Sequence, residues 1–265
     1  MASPGLTPAS TEWVGIAEAR ALPGLRVLAL RGVPSPWSMA ARAILELKRI
    51  PYQKVFAAPG DAPDAVLAWT GQTSFPAAMF EGERPRTGWA EILLLAERLS
   101  PEPPLLPADP EERALVLGVS HEICGEMGLA WCRRLLMLES RMRENPDDAF
   151  VASFVRKYGS GEAGFAEARA RLVDVLRMLG SQLQRQREAG RAFLVGSSLS
   201  AADVYWATFS NMVALLPPET LRIPDALRAA FALDDAEVAK ALHPALVRHR
   251  DWIYSKYLKT PIDLG

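Results

Sequence analysis

The stretch LRVLALRGVPSPWSMAARAILELKRIPYQKVFAA (residues 25–58) decides the fold. It opens with a short apolar run, residues 25–30, which reads as a buried strand. Residues 36–48 follow with Met39, Ile44, Leu45 and Leu47 on one stripe and Arg42, Glu46 and Lys48 outside it, the pattern of an amphipathic helix. Residues 51–58 alternate and carry β-formers, so they read as a second strand. A strand, a helix and a strand in so short a span make a βαβ unit, whose two strands run parallel.

Working outward, residues 12–22 on the amino-terminal side predict a short helix, and residues 1–11 are small, polar and proline-bearing, so a loose segment is expected. On the other side, residues 63–71 read as a short helix. Residues 75–86 read as two short strands around Glu81-Gly82-Glu83, a hairpin by its turn chemistry. Residues 87–100 read as a helix with a broad apolar face. The order β-α-β-α-β-β-α is the thioredoxin-like arrangement, a small mixed sheet with helices on both faces. Residues 100–110, SPEPPLLPADP, carry five prolines. Proline cannot continue a helix or donate to a ladder, so this stretch is expected to be a linker. Beyond it the pattern is helical throughout: one long helix over 110–138 with Pro110 in its first turn, then helices over 164–189, 200–215 and 235–258. The boundaries expected are an N-terminal extension (1–23), a thioredoxin-like domain (24–99), a linker (100–109) and an all-α helical bundle (110–265).

Composition narrows the function. Lys and Arg number 30 against 31 Asp and Glu, a net charge of −1. That balance gives no basic footprint for nucleic acid or an anionic membrane. No apolar run reaches the ~18–20 residues that span a bilayer, and the first residues lack a basic start and an apolar run, so a cytoplasmic protein is expected. Cys124 and Cys132 lie eight apart on a helical segment, about 12 Å along the axis at ~1.5 Å per residue. That is too far for a disulfide and lacks zinc spacing, so buried thiols are expected. His121, His243 and His249 form no catalytic or metal pattern in the sequence, and no metal is expected.

The most specific local signal is FLVGSSLSAADVYWATF (193–209). Ser200 with Asp203 three residues later is a capping box, and Leu199 with Val204 completes a hydrophobic staple. The whole string resembles the signature that begins the central helix of the second domain in the cytosolic glutathione transferases. Other landmarks fall in order. Ser35-Pro36-Trp37-Ser38, Arg42 and Lys48-Arg49-Ile50 are similar to that family's S/C-P-x-S/A…R…L-x-x-K-G-I. Phe75-Pro76 stands where the family has Val-Pro, and residues 90–99 resemble its third helix. The resemblance covers roughly residues 24–258.

It implies the glutathione transferase fold, a homodimer, and glutathione as co-substrate. Ser35 takes the position of the family's catalytic Ser or Cys, where a hydroxyl donating to the sulfur at a helix N-terminus favours the thiolate. The same serine reads equally as a plain N-cap with Pro36 at N1, and the two roles are compatible. Trp37 stands beside it in the glutathione site. Phe75 and a cis Pro76 are implied to present backbone to the cysteinyl unit. Thr87-Gly88 stand where the family has Glu/Gln-Ser for the γ-glutamyl end. Thr87 keeps a hydroxyl and Gly88 offers helix N-terminal amides, but the acid is missing. Met127, Trp131, Tyr205 and Trp206 either line a second-substrate pocket for a small apolar electrophile or are core or dimer-interface residues. Two functions follow: a transferase acting through Ser35, or a non-catalytic glutathione transferase-like binding or scaffold protein, which the Thr87-Gly88 departure motivates. The first helix is similar to the serine type of the zeta branch, whose Ser-Ser-Cys-Ser differs from Ser35-Pro36-Trp37-Ser38, so its isomerase activity is not carried over.

Overall fold

The computed structural model describes residues 12–57, 63–145, 152 and 162–265. The segment 1–11, expected to be loose, lies outside them. The chain divides into two compact units: one runs to Leu106 and takes back Tyr257–Gly265, the other is Pro107–Lys256.

The first unit holds the βαβ core. Strands β2 (Leu25–Leu28) and β3 (Gln53–Phe56) pair in parallel, Arg26 opposite Gln53 and Leu28 opposite Val55, with α2 (Pro36–Leu47) between them in sequence. Strand β4 (Ala77–Phe80) pairs antiparallel with β2, Leu28 opposite Ala77. Leu28, Val55, Ala77 and Met79 bury together with Val66 of α3 (Pro63–Thr70). Helix α4 (Trp89–Leu99) packs against α2.

The amino-terminal segment differs from expectation. Instead of one helix over 12–22 it forms strand β1 (Trp13–Gly15) and one helical turn, α1 (Ile16–Ala19). β1 adds to the sheet in parallel beside β3, giving the order β1-β3-β2-β4. An open edge of β3 presents unpaired amides and carbonyls, and Trp-Val are good strand formers, so edge pairing outweighs a weak helical tendency. The expected hairpin is also reduced. After β4 only one bridge forms, Ala78 with Arg86, closed by bonds of 2.8 and 2.9 Å. Pro85 precedes Arg86 and has no N–H to extend the ladder.

Two buried cations tie this unit together. Lys48, 1% exposed, places Nζ 2.7 Å from Glu97 Oε1 and 2.8 Å from the Pro103 carbonyl, so the end of α2 holds α4 and the proline segment. Arg42 reaches the chain's last residues. It donates to the Asp263 carbonyl at 2.6 Å and pairs with Asp263 Oδ2 at 3.3 Å, where Lys54 joins at 2.6 Å. Burial pushes the Asp263 carboxyl up, but the bonds from Lys54 and Gly265 and the charge of Arg42 hold it below its usual value. Next to it Gly32 donates to the Leu264 carbonyl at 2.7 Å.

The second unit is helical among its described residues. Helix α5 (Pro110–Cys124) and α6 (Leu129–Glu144) replace the single helix expected over 110–138. The apolar period runs on through residues 125–128, but Gly125 caps α5 and Gly128 caps α6, with Met127 between them at φ 54°. A Cβ on Gly128 would stand 2.8 Å from the carbonyls of His121 and Glu122, so only glycine permits this reversal. Helix α7 (Glu162–Glu188) lies along α6, and α8 (Ala201–Phe209), buried at every residue, lies along α5. After a 3₁₀ turn, Ser210–Met212, come α9 (Asp225–Phe231), α10 (Ala236–Ala241) and α11 (Pro244–Tyr257). The helix expected over 235–258 is therefore broken at Leu242-His243, because a residue before proline is driven out of the helical region. No helix among the described residues is long and apolar enough to cross a membrane.

Candidate functional site

The sheet register brings the expected first-unit residues to one place. β2 leaves the sheet at Leu28, opposite Ala77 where β4 enters. The loop after β2 leads to Ser35, and Pro76 immediately precedes Ala77. The Ala78–Arg86 bridge brings the chain back beside β4 immediately before Thr87. Ser35, Phe75-Pro76 and Thr87-Gly88 thus lie at one end of the sheet.

Ser35 is the N-cap residue of α2 by its backbone. Its φ and ψ are −68° and 115°, Pro36 follows inside the first turn, and its carbonyl accepts from Met39 N at 2.9 Å. Its side chain does not follow the N-cap reading: the hydroxyl makes no cap hydrogen bond. Ser38, three residues on, turns its own hydroxyl to accept from Leu30 N at 3.4 Å. Ser35 is 3% exposed, so its hydroxyl sits at the base of the loop and not on open surface. The amides that open a twelve-residue helix supply a positive end beside it. Trp37, two residues after Ser35, is half-buried.

The Phe75-Pro76 bond is cis, as the resemblance implies. Pro76 is buried, and Phe75 packs its ring on the sheet core.

At α4 the structure answers where the acids of this region go. Glu81 accepts from Gly24 N at 3.0 Å, and Glu83 pairs with Arg86 at 2.8 Å and Arg98 at 2.7 Å. Glu91 folds back over the start of its own helix. Its Oε2 accepts from Thr87 N at 3.0 Å and Gly88 N at 3.1 Å, and its Oε1 pairs with Arg84 at 2.7 Å. Burial pushes the Glu91 carboxyl up, but the two backbone bonds and Arg84 outweigh it and bring it down to about 2. The amides expected to meet a ligand carboxylate hold the chain's own. The signal was present in the sequence as an acid three residues after the N-cap, masked because the N-cap is Gly88.

In the second unit the expected pocket residues separate. Tyr205 and Trp206 are buried in α8, at 2% and 0% exposure. The Trp206 indole donates to the Leu246 carbonyl at 2.9 Å, and Tyr205 stacks edge-on against Phe209 at 6.1 Å. Their burial fits the core reading of the two the sequence left open. Met127 and Trp131 are half-buried at the α5–α6 break.

Asp203 does more than cap α8. Its Oδ2 accepts from Ser200 N at 3.0 Å and Ser200 Oγ at 2.8 Å, while Oδ1 accepts from Leu194 N at 2.8 Å and faces His249 Nε2 at 2.9 Å. Serine, aspartate and histidine meet here, but the serine bonds the acid and not the imidazole, and all three are at most 2% exposed. The cluster therefore has no nucleophile–base pair and no route for substrate. His249 was readable as a partner only from its place between Leu246 and Ile253 on the buried face of α11. Both cysteines are free and buried. Burial raises Cys132 to about 12 and Cys124 well above its usual value, so neither offers a thiolate. Among the described residues no cluster of His, Cys, Asp or Glu is built to hold a metal.

No protein-family model matches the chain, and no curated protein matches it in sequence. Solved structures do match its fold. A glutathione S-transferase from Methylobacterium radiotolerans, in complex with glutathione sulfonate, is 22% identical over 88% of this chain and 91% of its own, with a TM-score of 0.58. One from Methylobacillus flagellatus with glutathione bound is 16% identical over 88% and 95%, with a TM-score of 0.62. A beta-etherase from a Sphingobium strain is 18% identical over 88% and 96%, with a TM-score of 0.61. The fold is that of the glutathione S-transferases.

Proposed function

We propose that this chain, having the glutathione S-transferase fold, is a glutathione transferase-like enzyme in which Ser35 activates a thiol for attack on a small apolar electrophile. The observation that carries the reading is the Ser35 hydroxyl, held at the positive end of α2 and not used as a cap. Two of the neighbours hold glutathione or its sulfonate, and the first unit is the glutathione-binding domain in this reading. Phe75 supplies backbone to the cysteinyl unit, and Trp37 flanks the sulfur. A homodimer belongs to the same proposal.

The chemistry asked of Ser35 is modest. A free thiol has a pKa of about 8.5 and is mostly protonated at neutral pH. Lowering that by about 2 units takes ~2.7 kcal/mol. One charge-assisted hydrogen bond and a helix dipole supply an amount of that size. The hydroxyl donates to the sulfur in both ground and transition states, and its value lies in raising the thiolate fraction at working pH.

The test is Ser35→Ala. In wild type, kcat/KM with a chromogenic electrophile should rise through pH ~6.5, and in the variant through ~8.5. At neutral pH the variant should lose roughly 25-fold, the fall in thiolate fraction that a shift of about 2 units implies. Equal activity and an unmoved pH profile would sink the assignment. A second reading, a non-catalytic binding or scaffold protein, is favoured by one observation: Glu91 occupies the amides at which the γ-glutamyl carboxylate is expected. Calorimetry with glutathione and S-hexylglutathione separates the two, since the scaffold reading expects neither to bind.

A further inference from the structure

The segment Tyr257–Gly265 belongs to the first unit, and it runs along α2 as far as the loop that leads to Ser35. Lys259 pairs with Glu46 at 3.7 Å, near the end of α2. Asp263 meets Arg42 and Lys54: its carbonyl accepts from Arg42 Nη1 at 2.6 Å, and its Oδ2 lies 3.3 Å from Arg42 Nη2 and 2.6 Å from Lys54 Nζ. Arg42 is buried, and its Nε donates to the Tyr52 hydroxyl at 3.3 Å. Leu264 is buried too, and its carbonyl accepts from Gly32 N at 2.7 Å. Gly265 is packed close: a Cβ there would stand 2.6 Å from Trp13 Nε1 and 2.7 Å from Arg31 Cγ. These contacts converge on one short loop. β2 hands over at Ala29, whose amide reaches the Val55 carbonyl at 3.0 Å, and α2 begins after Ser35. Between them the chain turns at Gly32, at φ 70°, a conformation that other residues rarely hold. The amide at that turn is the one that Leu264 takes.

We propose that Asp263 is a positioning residue: it latches this segment to Arg42 and Lys54, the segment holds the Gly32 turn, and the turn fixes the Ser35 hydroxyl where the thiol arrives. This rests on the thiol-site reading above, and deepens it by adding a residue from far along the chain that touches neither thiol nor electrophile. A hydrogen bond to sulfur has its full strength over a narrow range of distance and angle. A small shift of the loop therefore lowers the thiolate fraction while the hydroxyl stays present. Two features suit Asp263 to that task. Its side chain is 52% exposed, so it is a clasp on the surface and not a support of the core. Its two cations sit on α2, the helix that Ser35 opens, and on β3, the strand beside β2. One carboxylate thus joins both elements at the loop they flank.

The experiment uses the ¹⁵N-labelled full chain in wild-type, Asp263→Asn, Asp263→Glu and Ser35→Ala forms, with melting curves to confirm folding. Two quantities are read. One is hydrogen exchange at the Gly32 amide, with the Ala29 amide as a control in the sheet. The other is the pH profile of kcat/KM with glutathione and a chromogenic electrophile. In Asp263→Asn the Gly32 amide should exchange about fivefold faster or more, the scale of a lost ion pair at the surface, while Ala29 stays as in the wild type. The rise of kcat/KM should move up from pH ~6.5 part of the way to the ~8.5 of a free thiol, and the loss should vanish on the alkaline plateau. A purely structural role would instead lower activity evenly at every pH. Asp263→Glu keeps the charge and should stay near the wild type on both counts. Unchanged Gly32 exchange in Asp263→Asn would overturn the latch. A freed Gly32 with an unmoved profile, where Ser35→Ala does move it, would overturn the positioning role. The thiol-site reading fails separately: if Ser35→Ala itself leaves the profile unmoved, the positioning role falls with that reading, and Gly32 exchange still decides the latch.

Discussion

Two serines open two helices in this molecule and do opposite things. Ser200 begins α8 with its amide and its hydroxyl both on the Asp203 carboxylate, whose other oxygen takes Leu194 N and faces His249. Ser35 begins α2 with the same kind of backbone and leaves its hydroxyl out of the cap. The difference lies three residues on. Asp203 is an acid that can gather four partners, whereas Ser38 is a hydroxyl that turns instead to Leu30 N. Pro36 also removes an amide from the first turn. Here the serine whose helix holds an acid three residues on is tied to that acid, and the other keeps its hydroxyl out of the cap.

The contrast can be broken by mutation. The largest effect is expected at Asp203→Ala, which strands three buried donors and His249. Removing one member of such a buried pair costs about 3–5 kcal/mol, read from urea unfolding; a loss under ~1 kcal/mol would mean the cluster is not what starts α8. Ser200→Ala should cost about 1–2 kcal/mol by the same measurement. Ser35→Ala should change stability by under ~0.5 kcal/mol, because no cap bond is lost. If it costs as much as Ser200→Ala, Ser35 is a cap after all and the comparison collapses. A further small effect belongs to Glu91, the acid that answers Gly88. Its carboxyl is lowered to about 2 in the folded chain, against ~4.3 when unfolded. Its contribution is therefore present above pH ~4.3 and is lost as pH falls towards 2. With its side chain 34% exposed, solvent screening keeps that contribution under about 1 kcal/mol. Acid unfolding of Glu91→Gln should accordingly show a shallower loss between those limits than the wild type, and identical acid curves would contradict the back-folded carboxylate.

The βαβ unit was legible in the sequence because its period changes sharply from strand to helix to strand, and the register that follows sets Ser35, Pro76 and Thr87 at one end. Hydrophobic period alone could not show the break at residues 125–128, since Met127 and Leu129 keep the apolar pattern running across it. The deciding contact is a carbonyl 2.8 Å from the missing Cβ of Gly128, a matter of local backbone geometry and not of apolar period. β1 was hidden because an edge strand of three residues is stabilised by its partner, not by its own sequence. In the site, positions were readable and commitments were not. Tyr205 and Trp206 stand beside the capping box, yet Trp206 is claimed by the Leu246 carbonyl, forty residues away in sequence. His249 is likewise claimed by an acid forty-six residues away. Side-chain partners at such separations leave no local trace.

The tail of the chain has a consequence for synthesis. Arg42 and Lys54 find their acid in Asp263, and Gly32 finds its acceptor in Leu264. A ribosome delivers those partners only after all of Pro107–Lys256 has been made. Until then Arg42 has the Tyr52 hydroxyl but not its counter-charge, and the loop that leads to Ser35 lacks its bond to Leu264. The loop nearest the proposed chemistry is thus tied by residues that are made last in the first unit.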